Sequence, residues 1–175
     1  MADALTIDAN ALGTAPRRIV ANLPYNVATP LLLRWLTTVT AFENLTLMFQ
    51  KEVADRLTAA PRSKDYGRLS VITQWCAEVR RLFDISPAAF TPPPKVTSTV
   101  VQLHPRPAPL HPAERAILER ITAAAFGQRR KMLRQSLRSL TSDASGLLAR
   151  AGIAETRRAE ELSIAEFCAL ARAMV

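Results

Sequence analysis

Glycine is scarce in this sequence, and the few glycines are scattered. No two of the five lie close enough to form a glycine-rich turn between a strand and a helix, since they are Gly13, Gly67, Gly127, Gly146 and Gly152. Such a turn is the usual cradle of a nucleotide-type cofactor. The 175 residues therefore contain no complete cofactor-binding loop of that kind.

Cysteine and histidine are also rare. The sequence contains two of each, with no metal-type spacing: Cys76, Cys168, His104 and His111. No apolar stretch approaches the length of a membrane span, and Met1 is followed by acidic Asp3 rather than by a charged and then apolar signal. We therefore expect no metal site, no membrane association and a cytoplasmic location.

Hydrophobic residues and positive charge are what the sequence does have. Hydrophobic residues make up 49% of the chain, which is enough for a packed core. The net charge is +8 and the isoelectric point is about 10.5. A charge of this sign and size favours a polyanionic partner.

The most informative stretch is Asn22-Leu23-Pro24-Tyr25. It follows a short apolar strand pattern at residues 18–21 and precedes a helix-like run at residues 30–36. In a doubly wound sheet, ligands bind beyond the carboxyl ends of the strands, where each strand leads to a helix. The Asn22 amide and a backbone carbonyl can accept hydrogen bonds from an exocyclic NH2 group, and Tyr25 offers a face for stacking a base.

Two further motifs lie downstream. The segment Phe90-Thr91-Pro92-Pro93-Pro94-Lys95-Val96 carries three consecutive prolines, which hold the chain extended and form a stiff rim between Phe90 and Lys95. The segment Phe126-Gly127-Gln128-Arg129-Arg130-Lys131 is predicted to open a basic helix.

The remaining pattern predicts alternating strands and helices, a proline-rich linker at residues 104–112 and then helices alone. Strands are predicted at residues 17–23, 45–49, 79–85 and 96–103, the last two pairing antiparallel. Helices are predicted at residues 30–39, with Thr29 as N-cap and Pro30 in its first position, and at 51–60, 68–76, 114–126, 130–140 and 163–174. The β-branched and aromatic residues within 68–76 would also suit a strand. Ser163 and Glu166 have the spacing of a capping box.

Positive charge is concentrated in the predicted helix at residues 130–140. Four cations fall within one arc opposite a leucine face and have no acidic partner at i+4: Arg130, Lys131, Arg134 and Arg138. This pattern favours contact with nucleic-acid phosphates over an ordinary solvated helix face.

Taken together, these blocks resemble the ribosomal-RNA adenine N6,N6-dimethyltransferases, and most closely the branch that acts on small-subunit rRNA. Residues 50–57 and 63–70 fit that family as well, and the resemblance covers essentially the whole chain. It implies an α/β fold, the C-terminal part of a Rossmann-like class I methyltransferase sheet followed by a small all-helical domain. The implied division is a partial methyltransferase domain at 1–104 and an rRNA-binding helical domain at 105–175.

The resemblance also implies the site. Five residues would hold the flipped adenine and position its amino group: Asn22, Leu23, Pro24, Tyr25 and Phe90. Asp3, Ala4 and Asn22 would contact S-adenosylmethionine. The rRNA would be bound by Lys95, Arg129, Arg130, Lys131, Arg134 and Arg138. Methyl transfer would then rest on positioning and electrostatics, with no strong general base.

The implied activity is methylation of two adjacent adenosines near the 3′ end of 16S rRNA, within an immature small ribosomal subunit. Two alternatives stay open: a non-catalytic RNA-binding fragment, or a related methyltransferase acting on large-subunit rRNA, DNA adenine or protein glutamine. Because the family's glycine-rich first half is not in the sequence, we expect an N-terminally truncated chain. Alone it should be inactive, bind S-adenosylmethionine weakly and self-associate through its exposed sheet edge.

Overall fold

The structure is a computed structural model that describes residues 6–175, apart from the side chain of Asn10. The chain forms two compact units. The first consists of the residues up to Thr58 together with Cys76–Ala108, and the second of Ala59–Trp75 together with Pro109–Val175.

The first unit is built on a four-stranded mixed sheet. Its strands are β1 (Arg18–Asn22), β2 (Asn44–Gln50), β3 (Ala77–Ile85) and β4 (Ser98–Pro105), in the order β1-β2-β4-β3. β1 is parallel to β2, whereas β4 is antiparallel to both β2 and β3. All four predicted strands and the antiparallel pairing of the last two are confirmed.

The two faces of this sheet differ in burial. Helix α1 (Tyr25–Trp35) packs against β2, and helix α2 (Lys51–Thr58) packs against β2, β3 and β4. On one face, side chains at alternating positions are completely or almost completely buried: Leu45, Leu47, Phe49, Val101 and Leu103. The opposite face leaves Val20 78% and Phe83 58% exposed.

Helix α1 begins earlier than the sequence predicted. Thr29 is not an N-cap, and Pro30 lies inside the helix rather than in its first position. The first turn forms because the Pro24 carbonyl accepts hydrogen bonds from the amides of Val27 and Ala28, at 3.0 and 3.1 Å. Pro24 has φ of −55°, which suits a residue at the start of a helix. A 3-10 helix, Leu36–Ala41, continues from the end of α1.

Strand β1 lies at one edge of the sheet, as expected. Within the described residues its only strand neighbour is β2. The exposed Arg18 at its start is held by a bidentate ion pair with Glu43, with N–O distances of 2.9 and 2.8 Å. Self-association through this edge stays a prediction.

The second unit is helical. Its helices are α3 (Arg68–Cys76, all but its last residue), α4 (Arg115–Gly127), α5 (Leu133–Ser136), α6 (Ala144–Arg150) and α7 (Ile164–Ala173). Its core includes an aromatic chain in which the rings of Tyr66 and Phe126 lie 5.8 Å apart and those of Phe126 and Phe167 lie 5.5 Å apart. Across residues 6–175, every helix is too short or too polar to traverse a lipid bilayer.

The predicted basic helix at residues 130–140 is wrong in extent. The segment 126–131 closes α4 instead of opening a helix, and Arg130 and Lys131 lie in an irregular turn. Only α5 and the 3-10 helix Leu137–Ser139 are helical. Continuous helix is prevented because Met132 forms a β-bridge with Arg158 and the Leu133 amide donates to the Arg157 carbonyl at 2.8 Å.

Two further differences concern the C-terminal part. Helix α6 was not predicted; its N-cap is Asp143, which accepts a hydrogen bond from the Gly146 amide at 2.9 Å. Residues Ala59–Trp75 pack with the C-terminal helices, so the packing units do not follow the predicted boundary at 104/105. The division of functions between 1–104 and 105–175 stays a prediction.

The predicted capping box at the start of α7 is confirmed and has an additional partner. The Glu166 carboxylate accepts hydrogen bonds from the Ser163 amide at 2.8 Å and hydroxyl at 2.9 Å, and it pairs with Arg157. Partial burial alone would raise the pKa of Glu166, but the bonds from Arg157 and Ser163 bring this pKa below its usual value.

Replacing this carboxylate should therefore cost stability in a pH-dependent way. A lowered folded-state pKa stabilises the fold above the unfolded value of about 4.3, and that stabilisation is lost as the pH falls through the folded value. We expect Glu166→Gln to lower the free energy of unfolding at pH 7 by about 1–2 kcal/mol, because the pair is only partly buried. Urea unfolding at pH 7 and pH 3 measures the effect.

The matched control is Glu52→Gln, which removes an exposed ion pair with Arg56 at 3.9 Å and should change little. The stability difference between Glu166→Gln and wild type should shrink at pH 3. A difference that grows on acidification would contradict the assigned role of Glu166.

Candidate functional site

The junction between β1 and α1 brings the first sequence motif to one place. Asn22 is the last residue of β1 and Tyr25 is the first of α1, so only Leu23 and Pro24 separate strand from helix. Asn22 is exposed and Tyr25 is half-buried. Regular structure therefore fixes the backbone positions that carry the amide side chain and the aromatic ring, one on each side of a very short link.

Ser98 anchors the Tyr25 ring. The two side-chain oxygens are 2.7 Å apart, and Ser98 is completely buried at the start of β4. Ser98 is not among the residues predicted from the sequence, because a serine at a strand end carries no pattern of its own. Its role is visible only once β4 is placed beside β2.

Phe90 is positioned by a capped turn. A 3-10 helix, Pro87–Ala89, is N-capped by the Ser86 hydroxyl, which accepts from the Ala88 amide at 3.3 Å. The Phe90 amide then donates to the Pro87 carbonyl at 3.2 Å. The prolines follow directly, and Lys95 is exposed after them.

These residues line one open cavity of about 380 Å³, a size typical of small-molecule sites. Its walls are Asn22, Leu23, Pro24, Tyr25, Met48, Phe90, Thr91, Pro92 and Pro94. The structure thus brings together the five residues that the sequence analysis grouped, and adds Met48. No carboxylate or imidazole lies among these described lining residues, so they can orient a ligand but provide no strong base.

A second, more apolar depression of about 400 Å³ adjoins it on the open face of the sheet. Asn22, Met48 and Phe90 line both depressions, so Phe90 stands between them. Cross-strand pairing places Asn22 beside Met48, Met48 beside Val100, and Val100 beside Phe83. A ligand that reaches Asn22 from this face meets mainly apolar side chains.

An ion-pair network lies at the start of α2. Asp55 accepts from Lys51 at 2.7 Å and from Arg81 at 2.5 Å, and Arg81 also pairs with Asp84 at 2.9 Å. The hydroxyl of Thr99 donates to Asp84, and this bond, followed by that from Arg81, lowers the pKa of Asp84. The network joins α2, β3 and β4.

The predicted RNA-binding cations have different surroundings. Arg130, Lys131 and Arg138 are exposed, whereas Arg134 pairs with Glu155 at 3.0 Å. The Ser145 hydroxyl and then Arg134 lower the pKa of Glu155. The guanidinium of Arg129 makes internal bonds to Glu160 and to two backbone carbonyls. RNA binding by any of these residues stays a prediction.

The predicted cofactor contacts at Asp3 and Ala4 lie outside the described residues. Within residues 6–175, no group of three or more His, Cys, Asp or Glu side chains could hold a metal ion. Cys168 is buried, and this burial raises the pKa of its thiol to about 11.

Comparison with known families identifies the family of the chain. The sequence model of the family described as "Ribosomal RNA adenine dimethylase" matches residues 2–174. The chain belongs to the ribosomal RNA adenine dimethylase family. The motifs at 22–25, 90–96 and 126–131 and the blocks between them indicate the same family.

Two similar relatives are both named "Ribosomal RNA small subunit methyltransferase A". The protein from Rhodospirillum rubrum is 67% identical over 172 residues, which cover 98% of this chain and 59% of the relative. The protein from Paramagnetospirillum magneticum is 66% identical over 173 residues, covering 99% of this chain and 61% of the relative. The chain thus spans about 60% of the length of these curated relatives.

Solved structures of similar fold include a dimethyladenosine transferase from Plasmodium falciparum, with a TM-score of 0.73 and 22% identity over 93% of this chain and 68% of that one. The 23S rRNA methyltransferase ErmE has a TM-score of 0.64 and 24% identity over 98% of this chain and 69% of that one. These likenesses show the fold, which is the predicted α/β, Rossmann-like methyltransferase class.

The anchoring of Tyr25 by Ser98 can be tested directly. The sequence has two tyrosines, Tyr25 and Tyr66, so a chain labelled with 3-fluorotyrosine gives two 19F resonances. We expect Ser98→Ala to shift and narrow the Tyr25 resonance, because the ring loses its hydrogen bond and gains mobility. The loss of stability should be about 1 kcal/mol.

The fully buried Tyr66 serves as the internal control, and its resonance should not move. Tyr25→Phe assigns the two signals. An unchanged Tyr25 resonance in Ser98→Ala would show that Ser98 does not hold the ring.

Proposed function

We propose that this chain forms the target-base side of an S-adenosylmethionine-dependent rRNA adenine N6,N6-dimethyltransferase that acts on small-subunit rRNA in the cytoplasm. The proposal depends on one observation. The Asn22 amide and the rings of Tyr25 and Phe90 line the same cavity at the carboxyl end of β1. Family membership and the names of the two relatives support the choice of substrate.

In this proposal Tyr25 and Phe90 hold an adenine that has been drawn out of the RNA. Unstacking costs least in a loop or single strand, and each base–aromatic contact contributes about 1–3 kcal/mol. The prolines after Phe90 keep the rim extended, and Ser98 keeps the Tyr25 ring in place. The base is therefore received by walls that are already ordered.

Asn22 then orients the reacting nitrogen. Its side-chain oxygen accepts one amino hydrogen, and the Leu23 carbonyl accepts the other. Holding both hydrogens turns the nitrogen lone pair toward the methyl donor and favours tetrahedral geometry. The uncharged lining is consistent with this role, since positioning and dipoles supply the catalysis instead of a general base.

The described residues fit only part of S-adenosylmethionine. The uncharged, aromatic lining near Asn22 suits the methyl-bearing end, and S-adenosylmethionine supplies an electrophilic methyl group when bound. The same lining contains no carboxylate for ribose hydroxyls and no glycine-rich loop. Contact of Asp3 and Ala4 with the cofactor's adenine stays part of the proposal.

A non-catalytic RNA-binding role is the second candidate. It is favoured by the exposed cations Arg130, Lys131 and Arg138, which have no ion-pair partner among residues 6–175. This role needs the basic surface but not the cavity. Methylation therefore distinguishes the two functions.

The catalytic proposal can be tested in a chimera. The 172-residue segment that matches in the Rhodospirillum rubrum relative is replaced by this chain, and methyl transfer is measured on small and on large ribosomal particles. We expect activity on small particles. Asn22→Ala should reduce the rate about 10²–10³-fold, the loss typical of one preorganised polar group.

The matched control is Asn26→Ala, at an exposed asparagine of α1 outside the cavity lining, which should retain the wild-type rate. Dimethylation at the wild-type rate by Asn22→Ala would overturn the role of Asn22. A chimera that binds rRNA but transfers no methyl group would favour the non-catalytic role.

Binding to rRNA should depend on the exposed cations and on salt. The slope of log K against log salt is negative, and each phosphate contact that is lost reduces its magnitude, here called the salt slope, by about 0.7–0.9. We expect Arg130→Glu combined with Arg138→Glu to weaken binding of the 175-residue chain to a small-subunit rRNA fragment and to flatten that slope. Arg120→Glu, at an exposed position of α4, is the control; an equal effect of the control would show general charge attraction only.

A further inference from the structure

Arg129 is fixed within its own unit. Its Nε donates to Glu160 at 2.7 Å, its Nη1 to the Tyr66 carbonyl at 2.9 Å, and its Nη2 to the Ser63 carbonyl at 3.1 Å. All three guanidinium nitrogens are thus engaged by the protein. The bonds tie the segment 63–66 to the 3-10 helix Ala159–Glu161.

The segment held in this way begins with an unusual backbone conformation. Arg62 has φ of +70°, and it is the only non-glycine residue with positive φ among residues 6–175. Residues with a Cβ disfavour this region, which glycine adopts freely. The conformation is maintained because the Arg62 amide donates to the Glu160 carbonyl at 2.7 Å. A residue in a strained backbone conformation persists where the surrounding structure holds it in place, and such residues often lie at binding sites.

Two cations of this segment are available to a ligand. The side chains of Arg62 and Lys64 are exposed, and neither has an ion pair or hydrogen bond within the described part of the chain. With Ser63, Arg129 and Glu160 they line an open depression of about 570 Å³. Glu160 offsets one of the three positive charges there, so the lining keeps a net charge of about +2, with half-exposed Asp65 next in sequence.

We propose that Arg62 and Lys64 form a phosphate-binding site for the backbone of the RNA substrate, and that Arg129 is a positioning residue that presents them. This inference rests on the proposed function, in which RNA is the substrate. It assigns to Arg62 and Lys64 the phosphate contact that the sequence predicted for Arg129. An Arg fork and a Lys ammonium on an open, polar surface match the spaced phosphates of a polynucleotide. A wide, shallow and exposed depression does not enclose a small free anion.

The strain at Arg62 gives the proposal a distinctive test. Arg62→Gly removes the charge and suits the positive φ, so the melting temperature of the chain should be unchanged or higher. RNA binding should nevertheless weaken, with the salt slope lower by about 0.7–0.9. Lys64→Gln should lower the slope by the same amount without changing the melting temperature. A residue with a purely structural role would lower the melting temperature and leave the slope unchanged.

Arg129→Lys tests whether Arg129 positions Arg62 and Lys64 or contacts a phosphate itself. It keeps the charge but cannot reproduce the three-way bonding, because lysine is a point charge on a flexible stem. We expect a lower melting temperature and weaker RNA binding with Arg62 and Lys64 still present. Arg120→Gln is the matched control for the loss of one exposed charge and should leave both measurements near wild type.

The experiment measures binding of the 175-residue chain to a small-subunit rRNA fragment at four or more salt concentrations. An unchanged slope in both Arg62→Gly and Lys64→Gln, while Arg130→Glu with Arg138→Glu lowers it, would overturn this inference and leave the proposed function standing. No RNA binding by the wild-type chain would overturn both. If polyglutamate binding depended on Arg62 and Lys64 as strongly as RNA binding does, the assignment of RNA as the ligand would be overturned.

Discussion

Two residues, Leu23 and Pro24, connect β1 to α1, and the candidate site depends on how short this connection is. Asn22 is fixed by the sheet and Tyr25 by the first turn of the helix, so their separation and orientation have little freedom. Pro24 makes the short link possible because its φ of −55° leads into a helix, and its carbonyl accepts the first helical hydrogen bonds. A longer link would place the ring on a loop and lose this alignment.

The opposite wall of the cavity depends on the sheet order. β4 lies between β2 and β3, so the turn that carries Phe90 is held at both ends by antiparallel strands. The Lys51 amide adds a hydrogen bond to the Thr97 carbonyl at 2.9 Å, and Ser98 bonds Tyr25 across the site. Both aromatic walls are therefore attached to the same sheet, and under the proposed function they would receive a flat base without reorganisation.

The sequence predicted the strands, most helices and five of the nine residues that line the cavity, because apolar periodicity and the motifs at 22–25 and 90–96 report local structure directly. It misplaced the start of α1, because Pro30 is a strong helix-start signal that the hydrogen bonds to Pro24 override. It predicted one basic helix at 130–140, because the pairing of Met132 with Arg158 joins residues far apart in the sequence. Ser98 and the internal bonding of Arg129 were unpredictable for the same reason.

The positively charged side chains have two different kinds of surroundings. Arg129 and Arg134, which look like surface cations in the sequence, are bonded within the fold, whereas Arg130, Lys131 and Arg138 are exposed. Net charge alone indicated a polyanionic partner but could not distinguish cations that are bonded within the fold from cations that are exposed to solvent. Only the hydrogen bonds and ion pairs that each arginine or lysine side chain makes in the structure show this difference.

The central claim is that Asn22 recognises an amino group between two stacking rings. It is tested most directly by NMR titration of the 175-residue chain with adenosine monophosphate and with its N6,N6-dimethyl derivative. Both should shift the ring signals of Tyr25 and Phe90, but only adenosine monophosphate, which has amino hydrogens to donate, should shift the side-chain amide of Asn22. Equal shifts of the Asn22 amide by both ligands, or no shift of either ring, would contradict the account.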